Sequence, residues 1–295
     1  MRVVIAGSSG LIGTSLVPAL RQAGHDVLRL VRGNPKAPDE RGWDPARGVL
    51  DEDALTGAHA VVNLCGAGLG DKRWNAERKR LLLESRTNPT SLLAEAVGRA
   101  GVGTLLNGSA VGYYGDTGPE QVTEDSSSGS GFLADLCRRW EAATEPASAA
   151  GIRVVRLRTG LVLSPSGGLL GQLKPLFSLM LGGRLGDGRQ YMPWISLDDE
   201  VAAILFALHT PEISGPVNLT GPEPVTNARF TKALADALGK PAPWVVPGFA
   251  LRALLGEFAD EGALAGQRAV PGVLNRHAFD FQHPQIDEAL AAAVD

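Results

Sequence analysis

The sequence is short of most features that announce a specialised class of protein. It has two cysteines in 295 residues, Cys65 and Cys137. Two thiols in apolar surroundings cannot build a disulfide framework, so both are read as reduced and buried, as expected for a cytoplasmic protein. Neither sign of charge is in large excess. The 28 basic and 32 acidic residues leave a net charge of −4, without the basic face that a nucleic-acid binder needs. No apolar run approaches the ~20 residues that span a bilayer, so no membrane partner is expected. The opening Met1-Arg2-Val3-Val4-Ile5 leads directly into strand and turn signals, without the apolar stretch of a secretory leader. The five histidines, His25, His59, His209, His277 and His283, show no metal-ligand spacing, and no metal is expected. Aromatic residues make up only 5% of the chain.

Glycine is what the chain has in quantity. With 37 glycines and 19 prolines, nearly a fifth of the positions are backbone specialists, against roughly 12% in an average protein. No three-residue period runs through them, which excludes collagen, and apolar segments such as 2–6 and 60–64 can bury a core, which argues against disorder. Glycine in an apolar, aromatic-poor chain marks places where the backbone comes close to something.

The first 160 residues alternate between short apolar runs and helical periodicity. Strands are read at 3–6, 26–31, 60–64, 104–107 and 152–157, and helices at 11–23, 77–99 and 132–149. Continuous apolar strands alternating with helices predict a doubly wound parallel sheet covered on both faces, an α/β Rossmann fold. From Gly160 to Gly188 there are eight glycines, around a helix read at 172–181. Further helices are expected at 197–208, with Ser196 as its cap, and at 227–238, with a short strand at 216–219 between them. The division that follows is a Rossmann unit of residues 1–160 plus 197–219, and a smaller, discontinuous C-terminal α/β lobe of 161–196 plus 220–295.

Chemistry concentrates first at Gly7-Ser8-Ser9-Gly10-Leu11-Ile12-Gly13, between the first strand and first helix. In a dinucleotide site Gly7 permits the tight turn, Gly10 lets the backbone approach a pyrophosphate, and Gly13 lets helix pack on strand. Ser9, Leu11 and Ile12 complete the turn, and the helix N-terminus adds oriented N–H groups. An NAD site would place an acid about 20 residues further on, for the ribose 2′-hydroxyl. Here Arg32 stands nineteen residues after Gly13. A guanidinium pairs with a 2′-phosphate and offers nothing special to a bare hydroxyl, so the cofactor expected is NADP. Gly66, in Asn63-Leu64-Cys65-Gly66-Ala67-Gly68, leaves room at the end of the next strand. Arg184, Arg189, Gln190 and Trp194 crowd the later glycine-rich stretch, which reads as hinged loops over a small polar substrate. For Trp194, burial between the lobes is the competing reading.

Together these residues resemble the atypical, epimerase-like branch of the extended short-chain dehydrogenase/reductase superfamily. The resemblance rests on GSSGLIG (7–13), WDP (43–45), NLCGAG (63–68), RWN (73–75), ESR (84–86), SAVGYYG (109–115), RTGLVL (158–163), GDGRQYMPWISLDD (186–199) and GQRAVPGVL (266–274), and covers almost the whole chain. It implies an NADP-binding Rossmann fold with a characteristic tail, and it puts Val31, Arg32, Leu64, Cys65, Arg86 and Val162 beside the cofactor. The superfamily's chemistry uses a Ser or Thr, then a Tyr and a Lys four residues apart. At the corresponding places this chain has Ala110, Leu133 and Cys137. Ser109, Tyr113 and Tyr114, at a strand end facing the expected crevice, are the substitute candidates, with packing as the alternative. Two readings stay open: an NADP-dependent oxidoreductase or epimerase-like enzyme, and a non-catalytic NADP(H)-binding regulatory or scaffold protein. Neither the substrate nor the oligomeric state is written in the sequence.

Overall fold

The computed structural model describes residues 1–294. Apolar, largely β-branched runs form the centre: β1 (Arg2–Ala6), β2 (Asp26–Arg32), β5 (Ala60–Asn63), β6 (Thr104–Ala110) and β7 (Arg153–Thr159). To these are added β3 (Glu40–Asp44), β4 (Val49–Leu50) and β8 (Gly215–Leu219), of which β3 and β4 were not read from the sequence. The eight strands lie in the order β8-β7-β6-β5-β1-β2-β3-β4. Every pairing is parallel except that of β3 with β4. The order reverses between β1 and β5, which is where an open sheet of this kind opens its ligand crevice.

Alternation along each strand splits the core in two. Val3, Ile5, Leu106 and Leu157 face the helices α1 (Gly13–Gln22) and α4 (Leu197–His209), whose Leu16, Leu20 and Ile204 complete one apolar layer. Val4, Leu105 and Val154 face α2 (Ala76–Ala100), which contributes Leu93 and Val97. Ser196 caps α4 as expected, its hydroxyl accepting from the Asp199 N–H at 3.0 Å, and Gly101 closes α2 in the left-handed region at φ 67°. The helix expected over 132–149 is two, α3 (Phe132–Ala142) and a short helix at Glu145–Ala149, because Pro146 has no N–H to continue the ladder and sits in the first turn of the second.

A second core gathers Leu163, Leu170, Phe177, Trp194, Phe230, Leu234, Ile286 and Leu290 from the segments flanking and following α4. The tail does not keep to this lobe. Val273 and Leu274 are buried in the first core, and Phe279 and Phe281 pack against it. Glu261 crosses back as well: its carboxylate accepts from the Phe132 and Leu133 N–H groups at 2.8 and 2.9 Å, capping α3 from 128 residues downstream.

Three of the eight glycines expected to act as hinges are packed tightly instead. A Cβ on Gly160 would lie 2.1 Å from the Pro193 carbonyl oxygen, one on Gly183 2.4 Å from that of Trp244, and one on Gly182 2.6 Å from the Phe177 ring. They allow close backbone approach within the second lobe.

Candidate functional site

At the C-terminal end of β1 the glycine turn divides into two kinds of position. A Cβ on Gly7 would sit 2.8 Å from Leu64 backbone carbon, and one on Gly13 2.3 Å from the Gly7 carbonyl oxygen, so the fold itself requires both glycines. Gly10 is different. Its Cβ would meet only the Gly7 oxygen, at 3.4 Å, and the residue is exposed with Ser9 beside it. The chain does not fill the space over Gly10, which is the property a pyrophosphate cradle needs. Leu11 reaches toward Gly167 and Gly168 at the start of the second lobe. Ile12, Leu64 and Val162, from three distant segments, pack against one apolar cluster.

The parallel register pairs Ala6 with Leu30, so Arg32 comes level with the glycine turn. Arg32 is exposed, Val31 half-buried, and among the described residues Arg32 forms no ion pair. Cys65 is half-buried rather than buried. Burial pushes its thiol up to about 12, with the nearby Arg32 guanidinium acting against that rise. Neither this thiol nor that of the buried Cys137, likewise pushed up to about 12 by burial, is an activated nucleophile.

Arg86 lies deeper, only 8% exposed. Its Nη1 donates to the Leu82 carbonyl at 3.0 Å and its Nη2 to the Ala67 carbonyl at 2.9 Å. Its guanidinium lies over the Trp140 ring at 5.2 Å and crowds the space above Gly66. No carboxylate pairs with it among the described residues, and burial brings its pKa down to about 10. Around it Leu82, Leu136, Cys137 and Trp140 form an apolar floor bordered by Ala67, Ala110 and Tyr113. Beneath this floor the Asn63 amide nitrogen donates to Thr90 Oγ1 at 3.0 Å and Asn107 Oδ1 at 2.7 Å, and Trp140 Nε1 donates to Thr90 at 3.1 Å.

Two of the three expected catalytic hydroxyls are engaged elsewhere. Ser109 Oγ donates to Glu141 Oε1 at 2.7 Å, and Glu141 takes a two-pronged bond from Arg158 at 2.8 and 3.0 Å. The Tyr114 hydroxyl accepts from Arg158 Nη1 at 2.9 Å and donates to Asn218 Oδ1 at 2.7 Å. Burial raises the Tyr114 phenol to about 12, against the pull of Arg158. Ser109 and Tyr114 are therefore corrected from proton-transfer candidates to members of a buried, satisfied network, where neither hydroxyl is open to a substrate. Tyr113 stays half-buried, its ring stacked under the Arg158 guanidinium at 3.6 Å. No role for Arg158, Glu141 or Asn218 was read from the sequence. The same is true of Glu124, whose Oε1 accepts from the Asn218 and Val273 N–H groups at 2.9 and 3.0 Å. Nothing in one sequence pairs residues so far apart.

The expected substrate residues do not converge. Trp194 is 1% exposed, donates to the Glu223 carbonyl at 3.1 Å, and belongs to the second core. The Gln190 amide is spent on the Leu185 and Ala263 carbonyls, both at 3.1 Å. The Arg189 side chain is 89% exposed. Arg184 is exposed on a short strand beside Trp244–Val246. None of the four is held as a ligand contact.

Against known proteins, residues 3–219 match the NAD dependent epimerase/dehydratase family, which is most of the chain. The chain belongs to that family. Residues 246–293 match a domain of unknown function, DUF1731. The Mycobacterium bovis epimerase family protein Mb2239 is 56% identical over 99% of this chain and 97% of its own length. Human epimerase family protein SDR39U1 (isoform 2), solved with NADPH, superposes with a TM-score of 0.91 at 31% identity, over 100% of this chain and 99% of the human one. A nucleoside-diphosphate sugar epimerase from Corynebacterium glutamicum has a TM-score of 0.83 and 40% identity, over 100% of this chain and 58% of its own. Like these family members the chain is a Rossmann-type α/β protein, and no described helix is long and apolar enough to cross a membrane.

Proposed function

We propose that the chain is an NADP(H)-dependent oxidoreductase or epimerase-like enzyme that acts on a small polar metabolite without a Tyr-x-x-x-Lys pair. The observation that carries the reading is the open space over Gly10 beside an Arg32 that, among the described residues, has no acid to pair with. The human relative solved with NADPH supports the same cofactor. Gly10 and the N-terminus of α1 would hold the pyrophosphate, with Ser9, Leu11 and Ile12 around it, and Arg32 the 2′-phosphate. Ile12, Leu64 and Val162 would form the apolar wall. The cofactor, when bound, supplies hydride chemistry.

The remaining roles fall to the chain's own side chains. Arg86 has only neutral partners among the described residues, the Leu82 and Ala67 carbonyls and the Ser85 hydroxyl, beside an apolar floor, so an oxygen that gains negative charge during reaction has a cation waiting for it. Tyr113 is the one expected hydroxyl left near that floor and is assigned proton transfer. Arg184 remains the only expected substrate residue still free for an incoming anion, and Arg189 stays with solvent.

The test is to load the protein with NADPH and follow reduced-nicotinamide absorbance against a panel of carbonyl compounds and nucleotide sugars. Turnover that is lost in Tyr113→Phe and retained in Tyr114→Phe supports the assignment. Tight NADPH binding with no consumption across the panel favours the other reading, a non-catalytic NADP(H)-binding regulatory or scaffold protein. The apolar side chains at Ala110, Leu133 and Cys137 are the observation on that side. Arg32→Ala should weaken NADPH binding by about 1.5–3 kcal/mol and leave NADH binding nearly unchanged. Equal losses for both would remove Arg32 from the 2′-phosphate.

A further inference from the structure

One buried acid has no part in the roles above. Glu200, in the first turn of α4, is 0% exposed. Its Oε1 accepts from the Thr159 hydroxyl at 2.9 Å, and its Oε2 has no partner. Thr159 is the last residue of β7, is half-buried, and pairs in register with Ala110 at the end of β6.

That position matters because of the strand order. The glycine turn and Arg32 put the adenosine half of a dinucleotide over β1 and β2. The second half of such a ligand crosses the switch point, here to the ends of β5, β6 and β7. Glu200 lies just under the last of these.

No charge nearby neutralises it. The elements packed against α4 are α1, β6, β7, the strands Leu161–Ser164 and Trp194–Ser196, and the tail segment from Phe279 to His283. On that face they present Leu16, Leu20, Leu106, Leu157, Val162 and Ile195. Of the charged and titratable groups on these elements, Arg156 and Arg158 point through the opposite face to Glu141, Arg153 is bound to carbonyls at the far end of β7, Arg21 is held at the surface by Asp39, His209 pairs with His25 at the far end of α4, and the His283 ring lies against the Ser196 hydroxyl. On α4 itself Asp198 is exposed, while Asp199 turns to the Gln282 and His283 N–H groups at 2.7 and 3.1 Å. Glu200 therefore answers to whatever charge enters the crevice.

We propose that Glu200 is a redox-linked proton site, which keeps its proton beside reduced cofactor and gives it up beside oxidised cofactor. The inference rests on the NADP(H) reading above. The oxidised nicotinamide ring carries a positive charge and the reduced ring none, so only the oxidised form favours the carboxylate. The step balances simply: the protonated protein and NADP⁺ form a complex with ionised Glu200, and one proton passes to water. Burial pushes the Glu200 carboxyl up to about 8, with the Thr159 hydrogen bond opposing it. The group thus titrates where the effect can be read.

The test is calorimetric binding of NADP⁺ and NADPH to the full chain from about pH 6 to about pH 9, in buffers of different ionisation enthalpy. Both nucleotides carry the 2′-phosphate, which itself titrates near ~6, so it cancels in the ratio of the two dissociation constants. In the wild type that ratio should fall about tenfold as pH rises, one pKa unit of coupling being a factor of ten. Proton release should be greater with NADP⁺ than with NADPH, the excess being the proton of Glu200. Glu200→Gln should flatten the ratio, and Thr159→Val should move its midpoint to higher pH. A pH-independent ratio in the wild type, which needs no variant to fold, overturns the proposal, as does an unchanged slope in Glu200→Gln. Failure of either nucleotide to bind at all would instead sink the cofactor reading.

Discussion

Two polar regions, one at the glycine turn and one beneath β6 and β7, hold their charges in opposite ways. Under β6 and β7, Ser109, Glu141, Arg158, Tyr114 and Asn218 satisfy one another in a closed chain of hydrogen bonds. Above the crevice, Arg32 has no acid among the described residues and Arg86 only neutral partners. Buried ionic groups that are fully paired hold a structure in register, whereas cations left without a counter-charge cost free energy that a ligand can recover. The contrast separates scaffold from site more sharply than residue type does, since both regions contain arginine and tyrosine would have been at home in either.

The contrast can be broken most severely on the closed side. Arg158→Met leaves Glu141 buried without its partner and should cost about 3–5 kcal/mol in urea unfolding. Adding Glu141→Gln to it should recover part of that loss, because the stranded charge is gone. A double variant no better than the single would mean that the pair was not acting as a unit.

The next largest effect depends on pH. Folded Glu200 binds its proton more tightly than the unfolded chain does. Its contribution is therefore full below the ordinary carboxyl range and is lost as pH rises through about 8. Between about pH 5 and about pH 9 the wild type should lose on the order of 3–5 kcal/mol more stability than Glu200→Gln. Parallel pH profiles would show that the group is not held neutral.

Smaller again is a comparison inside the glycine turn. Gly13→Ala drives a methyl into the Gly7 carbonyl and should cost about 1–3 kcal/mol in stability. Gly10→Ala should change stability by less than ~0.5 kcal/mol while weakening NADPH binding. Equal stability losses would erase the distinction between a glycine the fold needs and one a ligand needs. On the closed side again, Tyr114→Phe should cost only about 1–2 kcal/mol for one buried hydroxyl, read by thermal unfolding.

Much of this was legible in the sequence because it is local. The alternation of apolar runs with helical periodicity located β1, β2, β5, α1 and α2 to within a few residues, and the Gly7–Gly13 turn with Arg32 needed only spacing. The short β3 and β4 went unread because Glu40–Asp44 and Val49–Leu50 carry too few apolar residues to show a period. The closed network stayed hidden for a different reason. Asn218 meets Tyr114 across 104 positions, and only the parallel register of β6, β7 and β8 brings them together. The reading of Gln190 and Trp194 as substrate contacts failed because a polar or aromatic residue in a glycine-rich stretch looks the same whether it greets a ligand or staples two backbones.

The carboxylate of Glu261 at the head of α3 has a consequence for how the chain is made. During synthesis the residues of α3 leave the ribosome long before residue 261 does. Until then the helix that walls the crevice lacks its cap, and the Rossmann unit waits with one element loosely set. Cutting the chain after β8 would leave a fragment with a complete central sheet and an unfinished crevice, so the tail is the last instalment of the first lobe as well as part of the second.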